Sequence, residues 1–381
     1  MDADVLVVGA GPAGLAVAAC LRRRGVDVLV VDRGVAVGDS WRARYDRLHL
    51  HTPRVQSGLP GLPIPRRSGR WVARDDVAAY LQLYADHHGI RPRFGVQVHR
   101  LERDGELWKA DTDGAPLQAR QVVLACGYNR EPVLPAWPGR DSFRGEVLHA
   151  SAYASPEPFR GRDVLVVGAG NTGAEIAADL AEAGAASVRL AVRTPPNIVR
   201  RQVGLTPNQV MALGLRRLPP RVVDSIVRVA QRVTIGDLSA YGLPKPERGV
   251  YTRVIEDDVI PIIDVGLIKC VKERQVEIVG ALLGFDGPEV VLAGRERIRP
   301  EAVIVATGYS RGLEPLVGDL GVLGPRGKPV VNGARTAPGA PGLYFTGYTN
   351  PISGMFRELA LDARRIARSI SRARAPVNDG Q

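Results

Sequence analysis

The run Phe143-Arg144-Gly145-Glu146-Val147-Leu148-His149-Ala150-Ser151-Ala152-Tyr153 stands between two glycine-rich turns of one pattern. Upstream is GAGPAG, with Gly9, Gly11 and Gly14; downstream is GAGNTG, with Gly168, Gly170 and Gly173. Each turn comes directly after the same apolar run, Asp-Val-Leu-Val-Val, at 4–8 and again at 163–167. Such runs suit strands buried on both faces, and the Ala-rich stretch after each turn suits a helix packed on a sheet. Strand, glycine turn, helix and strand, twice over, predict an α/β chain with two dinucleotide-binding, Rossmann-like domains.

The chemistry of the turns comes from the residues around them. Glycines permit a tight turn and let a pyrophosphate approach a helix N-terminus, where free N–H groups and the dipole attract anions. In the first turn Pro12 and Ala13 complete the cradle, and a helix runs from 15 to about 24, ended by Gly25. The next strand, 28–31, ends at Asp32, with Arg33 beside it. A carboxylate there accepts hydrogen bonds from ribose hydroxyls. In the second turn Asn171 and Thr172 lie beside the expected pyrophosphate, and the strand at 188–192 ends not in an acid but in Arg193 and Thr194. A guanidinium there grips a 2′-phosphate, and Arg200 and Arg201 add charge, so the second cofactor reads as NADPH.

Read as F-x-G-x-x-x-H-x-x-x-Y between two G-x-G-x-x-G turns, the opening stretch resembles the signature of the class B flavin monooxygenases, through Phe143, Gly145, His149 and Tyr153. Baeyer–Villiger members carry Trp where Tyr153 stands, which places the resemblance on the flavin-monooxygenase branch. It implies FAD on the first turn, NADPH on the second, and a three-layer ββα FAD domain with an inserted NADPH domain. The expected division is 1–155, 160–305 with an irregular substrate-covering region at about 197–265, and a return to the FAD domain at 306–381. His149 then reads as structural or gating rather than as an acid or base.

Further segments extend the resemblance. Gly38-Asp39-Ser40-Trp41 resembles a GG-x-W segment with Asp39 replacing the second Gly, and implies a cofactor contact at Trp41. YDRLHLHTPR, 45–54, resembles the matching segment of YUCCA-type indole-pyruvate monooxygenases, as do Gly236-Asp237, Gly242-Leu243 and Asp264-Val265-Gly266. Animal-type amine and sulfide oxygenases have Asn about where His51 falls. His51 and Thr52 are therefore expected near the cofactors, His51 as a donor to a flavin or NADP oxygen, with a structural histidine as the alternative. Val98 is expected to meet the adenine. Cys126-Gly127 and Thr307-Gly308 are the expected closing turns, and Thr349 or Asn350 stands in for a familiar Asp near the flavin. His51 and Asn350 are the candidate catalytic residues.

Composition narrows the alternatives. Of the 51 basic residues 46 are Arg, and the formal net charge is +11. Coding bias accounts for the Arg skew, while the surplus favours anionic cofactors and acidic substrates. Aromatics are only 5% and no helix-turn-helix motif appears, so no nucleic-acid partner is expected. No apolar run reaches the ~18 residues that a spanning helix needs, so no membrane partner is expected. Cys20, Cys126 and Cys270 stand far apart, which argues against a disulfide framework, a zinc site or a disulfide reductase and suggests a cytoplasmic protein. A homodimer is one open arrangement.

The resemblance implies that NADPH reduces the flavin, that O2 adds to give a C4a-(hydro)peroxide, and that this adduct oxygenates a small-molecule substrate, with no metal. A deprotonated adduct attacks a 2-oxo acid with loss of CO2, which the YUCCA-like segments favour. A protonated adduct attacks an amine or sulfide, the alternative. A non-oxygenating NADPH-dependent flavoprotein is the second alternative.

Overall fold

The computed structural model describes residues 1–215 and 217–374. By backbone contacts the chain forms two units. The first comprises Met1–Ala43, Thr52–Glu131 and the chain from Tyr309 on; the second comprises Arg44–His51 and Pro132–Gly308.

The first unit is built on a six-stranded sheet. Val28–Val31, Ala3–Val8 and Leu117–Leu124 run parallel in that order. The last of these divides its free edge. Residues 117–119 pair antiparallel with Leu107–Thr112, which continues to Val98–Asp104, and residues 122–124 pair parallel with the returning strand Leu343–Phe345. The helix Pro12–Arg22 starts with Pro at its first position, where the missing N–H costs nothing. Residues 13–21 of this helix are all buried, and its small side chains let the long helix Met355–Arg374 pack along it. One core cluster joins Leu6, Val8, Leu124 and Phe345 of the sheet to Leu101 and Trp108 of the meander. The expected basic tail at 372–381 lies outside the described residues from 375 on.

The second unit carries a five-stranded, all-parallel sheet in the order Glu277–Gly280, Ser187–Val192, Asp163–Val167, Ala302–Val305, Glu146–His149. Two expectations change here. The boundary expected at 155 falls before 132, because the strand Glu146–His149 pairs with Ala302–Val305 and so completes the second sheet. Residues 44–51 also belong to this unit. The region 197–265, expected to be irregular, carries the helices Asn208–Leu215, Pro220–Thr234 and Val250–Glu256 and a parallel pair, Ile198–Arg200 with Ile262–Asp264. Buried side chains hold it together. Asp224 accepts from Tyr251 N at 2.6 Å and from Thr252 Oγ1 at 2.5 Å, so one helix caps the next. Asp264 accepts from Arg200 at 2.8 Å and from Ile268 N at 3.0 Å.

Candidate functional site: two cradles and an acidic helix face

The two glycine turns have the same internal contacts. Gly9 and Gly168 adopt φ of 113° and 115°, and an added Cβ on either would meet the carbonyl of Ala125 or Ala306 at 2.5 Å. A Cβ on Gly14 or Gly173 would stand 1.8 or 1.9 Å from the carbonyl of Gly9 or Gly168. The middle glycines differ in kind, for a Cβ on Gly11 or Gly170 meets nothing within 4 Å. Each cradle is thus closed toward the protein and open over the first turn of its helix, which fits a diphosphate held by backbone N–H groups.

The residues at the end of each cradle's second strand differ. Asp32 is half-buried and turned back on the first turn: one oxygen accepts from Ala10 N at 2.6 Å, the other from Gly34 N at 2.7 Å. Those bonds fix the carboxylate and leave lone pairs for a ribose diol. Arg33 faces Glu131 at 3.7 Å across an exposed pair. Arg193 and Thr194 are both exposed at the end of Ser187–Val192. Arg193 has no ion pair among the described residues, so its guanidinium is available to a phosphate.

The fingerprint residues act through packing. Phe143 sits 5.0 Å from the Phe285 ring, in a cluster with Leu165, Val167 and Val305. A Cβ on Gly145 would strike the Phe143 ring at 2.5 Å, so this turn exists because position 145 has no side chain. His149 uses both ring nitrogens. Nδ1 accepts from Ser151 N at 3.0 Å, and Nε2 donates to Gly308 O at 3.1 Å. Burial pushes its pKa down, the Gly308 carbonyl acting the other way. His149 is thereby a neutral strut on the closing turn. Tyr153, fully buried, donates to Asp179 at 2.8 Å and stacks on Phe159.

Residues 44–51 lie along the helix Asn171–Glu182 on a face made of Glu175, Asp179 and Glu182. Tyr45 donates to Glu175 Oε2 at 3.1 Å, and His51 Nε2 lies 3.0 Å from Glu175 Oε1. Arg47 pairs with Asp179 at 3.5 Å and with Glu182, and also donates to Val265 O at 3.0 Å. Glu175 is only 3% exposed. Burial raises the Tyr45 phenol well above its ordinary range, helped by the Glu175 charge, while the Thr172 hydroxyl acts the other way. Sequence reading passed over these acids, although their i, i+4, i+7 spacing marks one helix face.

Most of the other expected residues serve the packing of their own turn or strand. Asn171, expected beside the pyrophosphate, has its amide engaged: Nδ2 donates to Pro261 O at 3.1 Å and Oδ1 accepts from Ile263 N at 2.7 Å. It straps the region 197–265 to the second turn. His49 Nδ1 bonds Arg47 O at 2.7 Å, and Thr52 Oγ1 bonds Ser57 Oγ at 2.8 Å. Trp41 packs edge-on against Phe356 at 5.7 Å, and Val98 is a buried member of the meander. Cys126 N donates to Tyr348 Oη at 3.2 Å, and Gly127 has φ of 79°. Thr307 Oγ1 donates to Val133 O, and Gly308 has φ of 90°. Thr349 and Asn350 are partly exposed in the loop before Met355–Arg374. Cys20, Cys126 and Cys270 are free thiols. No described helix is long and apolar enough to cross a membrane.

Comparison with known proteins agrees with this geometry. A family model described as pyridine nucleotide-disulphide oxidoreductase matches residues 6–210. Indole-3-pyruvate monooxygenase YUCCA1 of Oryza sativa subsp. japonica is 35% identical over 349 residues, 90% of this chain and 86% of the rice protein. The probable indole-3-pyruvate monooxygenase YUCCA9 of Arabidopsis thaliana is 34% identical, over 96% of this chain and 88% of its own length. Among solved structures, the flavin-containing monooxygenase from Stenotrophomonas maltophilia is similar with a TM-score of 0.74 at 25% identity, covering 98% of this chain and 99% of that one. Two open cradles, a fingerprint explained by its packing and relatives alike over nearly their whole length lead to one assignment: the chain belongs to the YUCCA-like branch of the class B flavin monooxygenases and is a FAD- and NADPH-dependent monooxygenase.

Proposed function

We propose that this monooxygenase acts on a small 2-oxo acid, using NADPH and O2 to decarboxylate it oxidatively. The balance is R–CO–COOH + O2 + NADPH + H+ giving R–COOH + CO2 + NADP+ + H2O. The observation that carries the reading is the YUCCA-like segment at 45–54, of which Tyr45, Arg47 and His51 engage the helix of the second turn. Relatives named indole-3-pyruvate monooxygenases, alike over most of both chains, support the substrate class.

A flavin held by the first cradle would supply hydride uptake from NADPH and transfer of one oxygen atom of O2. The protein's own part is binding, orientation and exclusion of water. Gly9, Gly11, Gly14 and Asp32 hold the ADP half of FAD in this reading. Gly168, Gly170 and Gly173 hold the NADPH pyrophosphate, and Arg193 with Thr194 takes the 2′-phosphate. His149 holds the second cradle's closing turn through Gly308 O, and Tyr153 ties the fingerprint to the second helix through Asp179.

The test is product analysis. FAD-loaded protein is given NADPH, O2 and indole-3-pyruvate, and NADPH oxidation, CO2 and the acid shortened by one carbon are measured together. Equal amounts of all three are expected. Turnover of an amine or sulfide in place of the 2-oxo acid would move the assignment to N- or S-oxygenation.

A further inference from the structure

The cluster around Glu175 holds two atoms that the fold leaves incomplete. Glu175 is 97% shielded from solvent, and its Oε2 accepts from the Tyr45 phenol at 3.1 Å. Oε1 lies 3.0 Å from His51 Nε2, but the approach is bent, so Oε1 has no well-aligned donor among the described residues. His51 Nδ1 is buried and has no partner there either. The other side chains of this segment on the helix face are partnered, Tyr45 by the second oxygen of Glu175 and Arg47 by Asp179 and Glu182.

A carboxylate only accepts, so a contact of 3.0 Å with Nε2 is attractive only if Nε2 bears hydrogen. A neutral ring protonated at Nε2 has its lone pair at Nδ1. We propose that Glu175 is a positioning residue for the oxygenation reaction: it holds the Nε2–H tautomer of His51 and so leaves Nδ1 as an acceptor for an N–H or O–H donor on a bound molecule. The chemistry at that point is restricted accordingly. A lone pair backed by a buried carboxylate repels phosphate and carboxylate oxygens and accepts an amide, amine or hydroxyl hydrogen. Tyr45 is accessory; its donated hydrogen satisfies Oε2 and keeps Oε1 turned to the histidine.

The role of Glu175 makes the Glu175→Gln change informative. The Tyr45 hydroxyl holds the amide oxygen, so the amide NH2 faces Nε2 and drives the ring proton to Nδ1. Replacing the acid that fixes a histidine tautomer by its amide disables the ring without removing it.

Two measurements test the inference. Nitrogen-15 NMR of histidine-labelled, FAD-loaded protein near neutral pH reads the tautomer directly. Wild type is expected to carry hydrogen on Nε2 alone, and Glu175→Gln on Nδ1. Turnover of the substrate class proposed above is the second measurement. Glu175→Gln and His51→Leu are each expected to lose about 100-fold in kcat, within the range of one well-placed proton-handling group, with FAD content retained. The double variant is expected to lose no more than either single one. Wild-type His51 protonated on Nδ1, or losses that multiply in the double variant, would overturn the proposal. The kinetic arm rests on the oxygenase reading and the spectroscopic arm does not. A wrong substrate class leaves wild type without turnover but with the Nε2–H signature, whereas a wrong role for Glu175 leaves wild type turning over with the other tautomer. Should Glu175→Gln fail to fold, the wild-type tautomer still decides.

Discussion

An added Cβ at Gly14 would stand 1.8 Å from Gly9 O, and one at Gly173 would stand 1.9 Å from Gly168 O. The two cradles repeat each other to a tenth of an ångström in the shortest contact of each of these glycines, yet their surroundings share little. The first helix is buried along residues 13–21. The second turns an acidic face to residues 44–51. Asp32 is bound back to its own turn by two backbone N–H groups, whereas Arg193 stands exposed beyond its strand. The cradle itself carries no choice between dinucleotides. In the reading proposed here that choice falls to the residue after the next strand, Asp32 in one unit and Arg193 in the other.

The largest effects should come from the cradle glycines, because the atom a side chain would meet is backbone. Gly14→Ala and Gly173→Ala each force a shift costing about 3 kcal/mol or more. Gly14→Ala is expected to purify without the yellow chromophore. Gly173→Ala is expected to keep it but to lose bleaching by NADPH under anaerobic conditions. Flavin absorbance before and after NADPH reads both, and identical behaviour of the two variants would erase the distinction between the cradles.

A smaller effect is expected at Arg193. Loss of one charge-assisted contact at an exposed position corresponds to about a tenfold rise in KM for NADPH, with the value for NADH unchanged. Steady-state kinetics with both nucleotides sharpens the comparison with Asp32. An equal change for both would remove the 2′-phosphate from the role of Arg193.

The smallest effect concerns the closing turns. The first is held by the Tyr348 hydroxyl on Cys126 N, the second by His149 on Gly308 O. Only the second contains a histidine. Burial lowers the pKa of His149 in the folded state, so the unfolded chain takes up a proton that the folded chain does not. Stability from this group is therefore present above the unfolded value of about 6.5 and is lost as pH falls through it. Thermal unfolding should drop between pH 7.5 and 5.5, and His149→Gln should flatten that drop. Gln offers an N–H to Gly308 and an oxygen to Ser151 without gaining charge. An unchanged slope would place the acid sensitivity elsewhere.

The two cradles were legible in the sequence because their requirements are local: glycine where φ is positive, glycine where backbones touch, an apolar strand before and after. The fingerprint was legible as a pattern, but its cause was not, since Gly145 matters only once the Phe143 ring lies over it. The Glu175 cluster was missed because its partners are distant in sequence; Tyr45 and Glu175 are 130 residues apart. The misplaced boundary near 155 has a similar origin. Residues 146–149 are a short strand whose membership is set by pairing with 302–305, and no periodicity reports that. The helix Pro220–Thr234 shows the limit from the other side. It lies in a region expected to be irregular, and its apolar residues Val222, Ile226, Val229 and Val233, though set at helical spacing, are exposed.

Residues 44–51 are a short excursion that leaves the first unit after Ala43 and rejoins it at Thr52. Anyone grafting the second unit of a relative onto this scaffold by exchanging 132–308 alone would leave that excursion behind. The transplanted helix would then meet foreign residues at the places of Tyr45, Arg47 and His51. A working chimera has to carry both segments, with a pair of junctions for each, and the short insert is the part most easily forgotten.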